Sequence, residues 1–318
     1  MVSEKKNKIL TIAIPNYNYA IYIDKAISSV LKQPGNDFEL LIADNNSNDK
    51  SWEIISSYKD DRLKCFRHSH TISMQENWNY LLKKANGKYF LLLPSDDYLD
   101  EDFIEYLIQS LNDFREIDLG SIIWGYGNYI ESINRVNHFT LPDINGTKLL
   151  VNSKKVAFKY RAYSPPWAHA QNTKLLQNLG GYKLGSRRLD SLLFNEVIFK
   201  NPKTLVLKKI LSFQTVHEFN TRHLLQFETI IDNIEISRQY LISTKNIFNR
   251  LLIRLFLSKN TLVYLFTLNK NSNRSNIKLK LVEYLNLVLF FPILIIIFGL
   301  IKFFPYYPFK KLNKIISI

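Results

Sequence analysis

Two adjacent carboxylates, Asp96 and Asp97, are the residues of this sequence best placed to do chemistry. They close the stretch Gly87-Lys88-Tyr89-Phe90-Leu91-Leu92-Leu93-Pro94-Ser95-Asp96-Asp97-Tyr98-Leu99. Within it, the apolar run Tyr89 to Leu93 has the length and aromatic content of a buried strand, and it stops abruptly at Pro94. The acids therefore stand at a strand's C-terminal edge, where ligands bind in open α/β sheets. Side by side on one short turn, they form a hard oxygen site suited to Mg2+ or Mn2+ carrying a diphosphate. The same acids also suit an N-terminal cap for a helix beginning near Asp100, and residue type alone does not separate the two uses.

A site of this kind needs a frame, and the preceding residues describe one. Ile9 to Ile14 reads as a buried strand stopped by Pro15, and Ile21 to Gln33 carries Ile23, Ala26, Ile27, Val30 and Leu31 at helical spacing. Phe38 to Ala43 is a second strand, running into Asp44-Asn45-Asn46-Ser47-Asn48-Asp49, where Ser47 or Asn48 suits the cap of a helix through Trp52, Ile55 and Tyr58. A third strand near Leu63 to Phe66 and a helix from Ser73 to Ala85 lead to the strand that ends in the acids. Strand and helix alternating at this spacing predict a parallel, doubly wound sheet flanked by helices. Right-handed crossovers bring the polar clusters Pro15 to Asn18, Asp44 to Asp49 and Ser95 to Asp97 to one rim, although each alone is ordinary turn chemistry. No G-x-G-x-x-G follows the first strand and no G-x-x-x-x-G-K-[ST] occurs, so neither a Rossmann dinucleotide site nor a P-loop is expected. A phosphate held through a cation on carboxylates remains.

Beyond this, a helix over Ile104 to Phe114, a strand over Leu119 to Trp124 ahead of Gly125 and Gly127, and a closing strand pair over Val206 to Thr215 are predicted. Residues 131 to 165 are polar and mixed and read as variable loops. Cys65 is the single cysteine, which excludes an intrachain disulfide framework and a Cys-based zinc site and fits a reducing compartment. Lys5, Lys6 and Lys8 precede an apolar run too short for a signal-peptide core.

Charge divides the chain at about residue 218. The 318 residues carry a net charge of +14, and residues 219 to 318 hold 14 Lys or Arg against 4 Asp or Glu. Helical patterning fills this part, and Tyr284 to Ile301 is an 18-residue run without charge, interrupted by Asn286 and Pro292. As a helix it is about 27 Å long against roughly 30 Å of hydrocarbon, enough to span barely or to lie re-entrant. Lys302, Lys310, Lys311 and Lys314 interleave with Phe303, Phe304, Tyr306, Tyr307 and Phe309 as an interfacial belt. Basic residues that flank apolar runs suit an anionic membrane surface, and no nucleic-acid partner is expected. The predicted organisation is a domain over 1–218 and a helical, membrane-associating region over 219–318 with its apolar segment at 284–301.

Ile14-Pro15-Asn16-Tyr17-Asn18, the turn Asp44 to Asp49, Asn77-Trp78-Asn79 with Ala85-Asn86-Gly87-Lys88-Tyr89, and Leu93-Pro94-Ser95-Asp96-Asp97 follow one another in an order that resembles the family 2 glycosyltransferases of GT-A fold. The resemblance covers roughly residues 8 to 218 and lies in the ordered set. It implies an inverting, hexosyltransferase-type enzyme of bacterial cell-surface polysaccharide synthesis at the cytoplasmic face of the membrane. Such an enzyme takes a nucleotide-diphosphate sugar as donor, a glycan or lipid-linked acceptor and a divalent metal, Mn2+ or Mg2+.

On this resemblance the donor is held by Pro15, Tyr17, Asp44, Asn46, Ser95 and Asp96, and the metal by Asp96, Asp97 or both, with His217 as a further candidate ligand. The turn Leu179-Gly180-Gly181-Tyr182 and the segment Arg187-Arg188-Leu189-Asp190 resemble the part that supplies the catalytic base, which places that role on Asp190. An acid opening a helix is equally what the helix dipole favours, and Arg187 and Arg188 suit either a diphosphate or solvent. The sequence departs from the family pattern at Pro94, where an Asp-x-Asp motif has its first acid, and at Leu189, which leaves Asp190 unpaired. Those departures fit a second expectation, a non-catalytic membrane-bound binder of sugar nucleotides or a scaffold.

Overall fold

The structure, a computed structural model, describes residues 8–139, 146–153, 165–183 and 189–218 together with Leu141, Ala157 and Tyr160; the side chains of 189–192 are not among them. The expected region 219–318 and its apolar segment 284–301 lie outside the described residues. Among those described, no helix is long and apolar enough to cross a membrane.

The first half alternates as expected: β1 (Leu10–Asn16), α1 (Ala20–Leu31), β2 (Phe38–Asp44), α2 (Ser51–Ser57), β3 (Leu63–Arg67), α3 (Met74–Lys84) and β4 (Tyr89–Leu92). Then come β5 (Tyr98–Leu99), α4 (Phe103–Asn112), β6 (Ser121–Ile130), β7 (Arg135–Phe139), β8 (Lys148–Asn152), β9 (His169–Asn172), α5 (Thr173–Asn178), α6 (Leu189–Lys200) and β10 (Lys203–Val216). All ten strands join one sheet in the order β3-β2-β1-β4-β9-β6-β10-β5, with β7 on β6 and β8 on β10. The β3-β2-β1-β4 half is parallel, whereas β9 is antiparallel to both neighbours. The sheet is therefore mixed.

Strands buried on both faces explain why the interiors of β1 and β2 are apolar apart from Thr11 and Glu39. On one face Ile12, Ile14, Leu40 and Ile42 pack with Ile23 and Ile27 of α1 and Phe103 and Leu107 of α4. On the other, Ala13, Leu41, Ala43, Phe90 and Leu92 pack with Leu81 and Leu82 of α3 and Val197 of α6. Trp124 is fully buried, its Nε1 donating to Ser212 Oγ at 2.9 Å, so even the core's largest ring has its polar atom satisfied.

Three expectations are corrected. Residues 131–165, read as loops, hold β7 and β8, whose partners β6 and β10 lie elsewhere in the chain. β6 runs through Gly125 and Gly127 rather than stopping at Trp124, because a Cβ at Gly127 would lie 2.5 Å from the Phe213 ring of β10. Instead of a strand pair, β10 is a single 14-residue strand, whose register shifts against β6 between Leu207 and Ser212 absorb the bend.

At the end of the sheet remote from the acids, Glu39 of β2 is buried and accepts from Thr11 Oγ1 at 2.8 Å, Asn86 N at 2.7 Å and Lys64 Nζ at 3.0 Å. Burial alone would push its carboxyl up, but the Asn86 amide, Lys64 and Thr11 outweigh that and hold it below the ordinary value. Its contribution to stability is therefore complete above the unfolded value of about 4.3 and is lost as pH falls through the lower folded value. Thermal unfolding is expected to show a fall in melting temperature across that acidic window that is shallower in Glu39→Gln. Identical slopes would remove Glu39 from the acid response.

Candidate functional site

β1, β2 and β4 lie side by side and parallel, so the turns after them meet at one rim. The first two are welded together. Asn16 Nδ2 donates to Asp44 Oδ1 at 2.9 Å and to Ser47 Oγ at 3.2 Å, while Ser47 donates to both carboxylate oxygens of Asp44, through Oγ at 2.6 Å and N at 3.1 Å. Asn18, at φ 57° in the left-handed region that Asn tolerates, sends its N–H to Ser47 Oγ at 2.9 Å and accepts from Asn48 N at 2.9 Å. Asp49 receives Ala20 N and Ser51 N, both at 2.9 Å, so α1 and α2 start from the same acid. The helix after this turn is thus served by Asp49, not by Ser47 or Asn48.

Asp44 is wholly buried, and Arg67 Nε at the end of β3 lies 3.4 Å from its Oδ2. It is the keystone of the turn rather than its exposed tip. Pro15 is paired inside β1 and partly buried, Tyr17 is 47% exposed, and Asn46 stands at φ 59° on the turn's crest. Asn16 Oδ1 is buried without a hydrogen-bond partner, an acceptor left open at the base of this corner.

The third turn separates its two acids. Asp97 is buried, with Oδ1 accepting Thr215 N of β10 at 3.0 Å. Burial and then Asp96 push its carboxyl well above the usual carboxylate range, and the Thr215 amide only partly offsets them. Asp96 points the other way, its side chain 14% exposed and its Oδ2 3.1 Å from His217 Nε2. Neither acid caps a helix: α4 begins at Phe103 behind Asp102, so the capping alternative is excluded. Ser95 is buried beside them.

His217, just past β10, is held from three sides. Its ring stacks on Tyr22 at 4.4 Å and 19°, meets Tyr19 edge-on at 6.1 Å, and faces Asp96. Tyr22 in turn donates to Glu131 Oε2 at 3.0 Å, and burial followed by that carboxylate pushes its phenol up to about 12. Tyr19 is raised by burial and then by Asp96 and Asp97, which ties the first turn to the third. The three polar clusters and His217 therefore share one corner. Arg67, Tyr22 and Glu131 join them there without a sequence signal. Arg67 reads as the end of a strand, Tyr22 as one ring on a helix face, and Glu131 lies 109 positions from its partner.

Asp190 is the second residue of α6. Its side chain, like Arg187 and Arg188, lies outside the described residues. Among those described, no group of three or more His, Cys, Asp or Glu is gathered for a metal ion. What the corner offers is a two-donor set, Asp96 and His217, that leaves the remaining positions of a cation's shell to diphosphate and water oxygens.

An α/β frame with a polar corner at the carboxyl ends of its parallel strands is the architecture of enzymes that bind nucleotides there. Residues 11–189, more than half of the chain, match the family described as glycosyl transferase family 2, and the chain belongs to that family. It is 25% identical to the glycosyltransferase GlyG of Streptococcus pneumoniae over 197 residues, 61% of each chain. It is 30% identical to the UDP-Glc:alpha-D-GlcNAc-diphosphoundecaprenol beta-1,3-glucosyltransferase WfaP of Escherichia coli over 122 residues, 38% of this chain and 46% of that one. The chain spans about half the length of the curated relatives it matches.

Among solved structures, Staphylococcus aureus TarS 1-349 in complex with UDP-GlcNAc superposes with a TM-score of 0.61 at 18% identity, covering 85% of this chain and 75% of that one. Mannosyltransferase PcManGT from Pyrobaculum calidifontis, in complex with GDP-Man and Mn2+, superposes with a TM-score of 0.56 at 13% identity, covering 91% and 82%. These likenesses show the fold, which is GT-A-like with a mixed, mostly parallel sheet flanked by helices.

Proposed function

We propose that this chain is an inverting glycosyltransferase that moves a sugar from a nucleotide-diphosphate sugar to a hydroxyl of a glycan or lipid-linked acceptor in surface polysaccharide synthesis. The observation that carries the reading is the single corner where the Asn16–Ser47 turn pair, Asp96 and His217 meet at the carboxyl ends of parallel strands. Family membership and the activity for which the WfaP relative is named support the lipid-linked acceptor.

In this reading the donor's base lies against Tyr17 and the Asp44-braced turn, where Asn16 Oδ1 accepts an N–H. Asp96 and His217 hold a divalent cation, and the mixture of carboxylate oxygen and imidazole nitrogen favours Mn2+ over Mg2+. A cation bound there offsets charge on the departing diphosphate. Asp190 takes the proton of the acceptor hydroxyl as its oxygen attacks the anomeric carbon, and one in-line displacement inverts that centre.

A thermal-shift screen of UDP-, GDP-, CMP- and dTDP-sugars with Mn2+ or Mg2+ tests the donor half. Ligand at a hundred times its Kd stabilises the folded chain by about 2.7 kcal/mol, so one nucleotide class is expected to stand out and to need the cation. Stabilisation by none of them would overturn the reading.

The buried state of Asp97 supports a division of roles between the two acids. Asp96→Asn is expected to lower kcat/KM about 100-fold or more through loss of charge stabilisation at the diphosphate. Asp97→Asn, whose amide oxygen still accepts Thr215 N–H, is expected to stay within about 10-fold of wild type and to fold normally. Steady-state kinetics on both variants check this, and equal losses would contradict the division of roles.

Pro94 and the unpaired Asp190 favour the alternative of a non-catalytic sugar-nucleotide binder, which predicts donor stabilisation without turnover. The basic, apolar stretch 219–318 is proposed to keep the enzyme at the cytoplasmic face of the cell membrane. The full chain is then expected to sediment with vesicles containing anionic lipid and to remain in the supernatant without them.

A further inference from the structure

α3 starts at the donor corner and, at its middle, meets the Gly180–Tyr182 turn that precedes α6. Its N-terminus is fixed by a reciprocal capping box between Ser73 and Glu76. The residue before it, Ile72, is gripped by Asn45, whose Nδ2 donates to Ile72 O at 2.8 Å and whose Oδ1 accepts Ile72 N at 2.9 Å. Asn77 then donates to Ala43 O at 3.2 Å and sits 3.0 Å from His68 Nε2. This end of the helix is therefore bound to the strand and turn that carry Asp44.

Half a turn further on, Asn79 repeats the two-handed grip on another loop. Its Oδ1 accepts Tyr182 N at 2.8 Å and its Nδ2 donates to Tyr182 O at 2.8 Å. The loop is shaped to receive it. Gly180 and Gly181 stand at φ 84° and 69°, and a Cβ on Gly181 would lie 2.3 Å from Asn79 Oδ1. Tyr182 is buried against Trp78 at 5.1 Å, edge to face. The next residue, Lys183, pairs with Glu196 on α6, the helix whose second residue is Asp190. The chain entering the base-bearing helix is thus anchored to α3 on one side and to α6 itself on the other.

We infer that Asn79 is a positioning residue that sets the start of α6, the helix on which Asp190 is the second residue, relative to a donor bound against the Asp44 turn. The inference rests on the glycosyltransferase reading, with Asp190 as base. One side-chain amide holding both backbone groups of one residue fixes that residue's orientation as well as its place. A base displaced by about 1 Å from its attack geometry loses on the order of 100-fold in rate, with ground-state binding untouched.

The test uses the full chain with UDP-glucose and GDP-mannose as probes and Mn2+ present, following donor hydrolysis, nucleotide binding by calorimetry and hydrogen exchange of the amides over 180–190. Asn79→Ala is expected to lower kcat about 10- to 100-fold, with KM and nucleotide Kd within about two-fold of wild type and the 180–190 amides exchanging faster. Asn79→Asp, which keeps the acceptor for Tyr182 N–H but loses the donor, is expected to fall between. Gln177→Ala removes a bond from Gln177 Nε2 to Leu82 O between α5 and α3 without touching the turn, and is expected to leave kcat unchanged. A kcat loss matched by an equal loss of nucleotide affinity, or no kcat loss in Asn79→Ala, overturns the inference while the functional reading stands. Wild-type protein that hydrolyses neither probe removes support from the functional reading instead. Exchange then decides for the grip alone, and unchanged rates over 180–190 in Asn79→Ala overturn it.

Discussion

Asp190→Asn is expected to abolish transfer while donor binding stays nearly intact. General-base catalysis contributes about 100- to 10,000-fold, and the amide cannot accept the acceptor's proton. The competing use of this residue, a carboxylate favoured by the N-terminal dipole of α6, is worth only about 0.3–1 kcal/mol of stability and nothing in rate. The two accounts therefore separate on one variant. Single-turnover kinetics and calorimetry with the same nucleotide sugar should give a collapsed rate and a Kd within about two-fold of wild type. A fully active Asp190→Asn would take the base away from Asp190 and leave it as a helix-start acid.

Gly87→Ala is expected to be the most damaging small substitution ahead of the acids. Gly87 N donates to Thr11 Oγ1 at 2.8 Å and Gly87 O accepts Thr173 Oγ1 at 2.6 Å, so the residue is held between β1 and α5. A Cβ there would lie 2.3 Å from Thr11 N and 2.5 Å from Leu10 C, and both are backbone atoms of a central strand that cannot turn aside. Overpacking of this kind costs about 3 kcal/mol, and in a domain of this size that lowers the melting temperature by about 6–12 °C. Calorimetry on the purified variant checks it. Because β4 starts two residues later and carries the acid turn, activity is expected to fall together with stability, unlike in Asp190→Asn.

The alternating half of the sheet was legible because β1, β2 and β4 are buried on both faces, and largely apolar runs ending in polar turns have few other uses. Their convergence followed from handedness; the bonds between Asn16, Asp44 and Ser47 join the first two turns, and His217 between Asp96 and Tyr22 joins the third. What local pattern could not carry was long-range pairing. β5 is two residues long and β9 four, too short for periodicity, and both are defined by partners far along the chain. The fates of Asp96 and Asp97 were illegible for the same reason, since one is decided by Thr215 and the other faces His217, about 120 positions on. Glycine at 127 looked like a strand end because its cause, the Phe213 ring, lies on another strand.

The last five residues of the long strand and its continuation touch the acid turn twice, through Thr215 and through His217, with no loop between. Tension on the polypeptide at residue 218 is consequently delivered to the acid turn and to the Tyr22 ring on which His217 stacks. A fluorescent protein or affinity handle joined there would disturb the acids. The same handle ahead of Lys8, which leads into β1 at the opposite end of the sheet, would leave them alone.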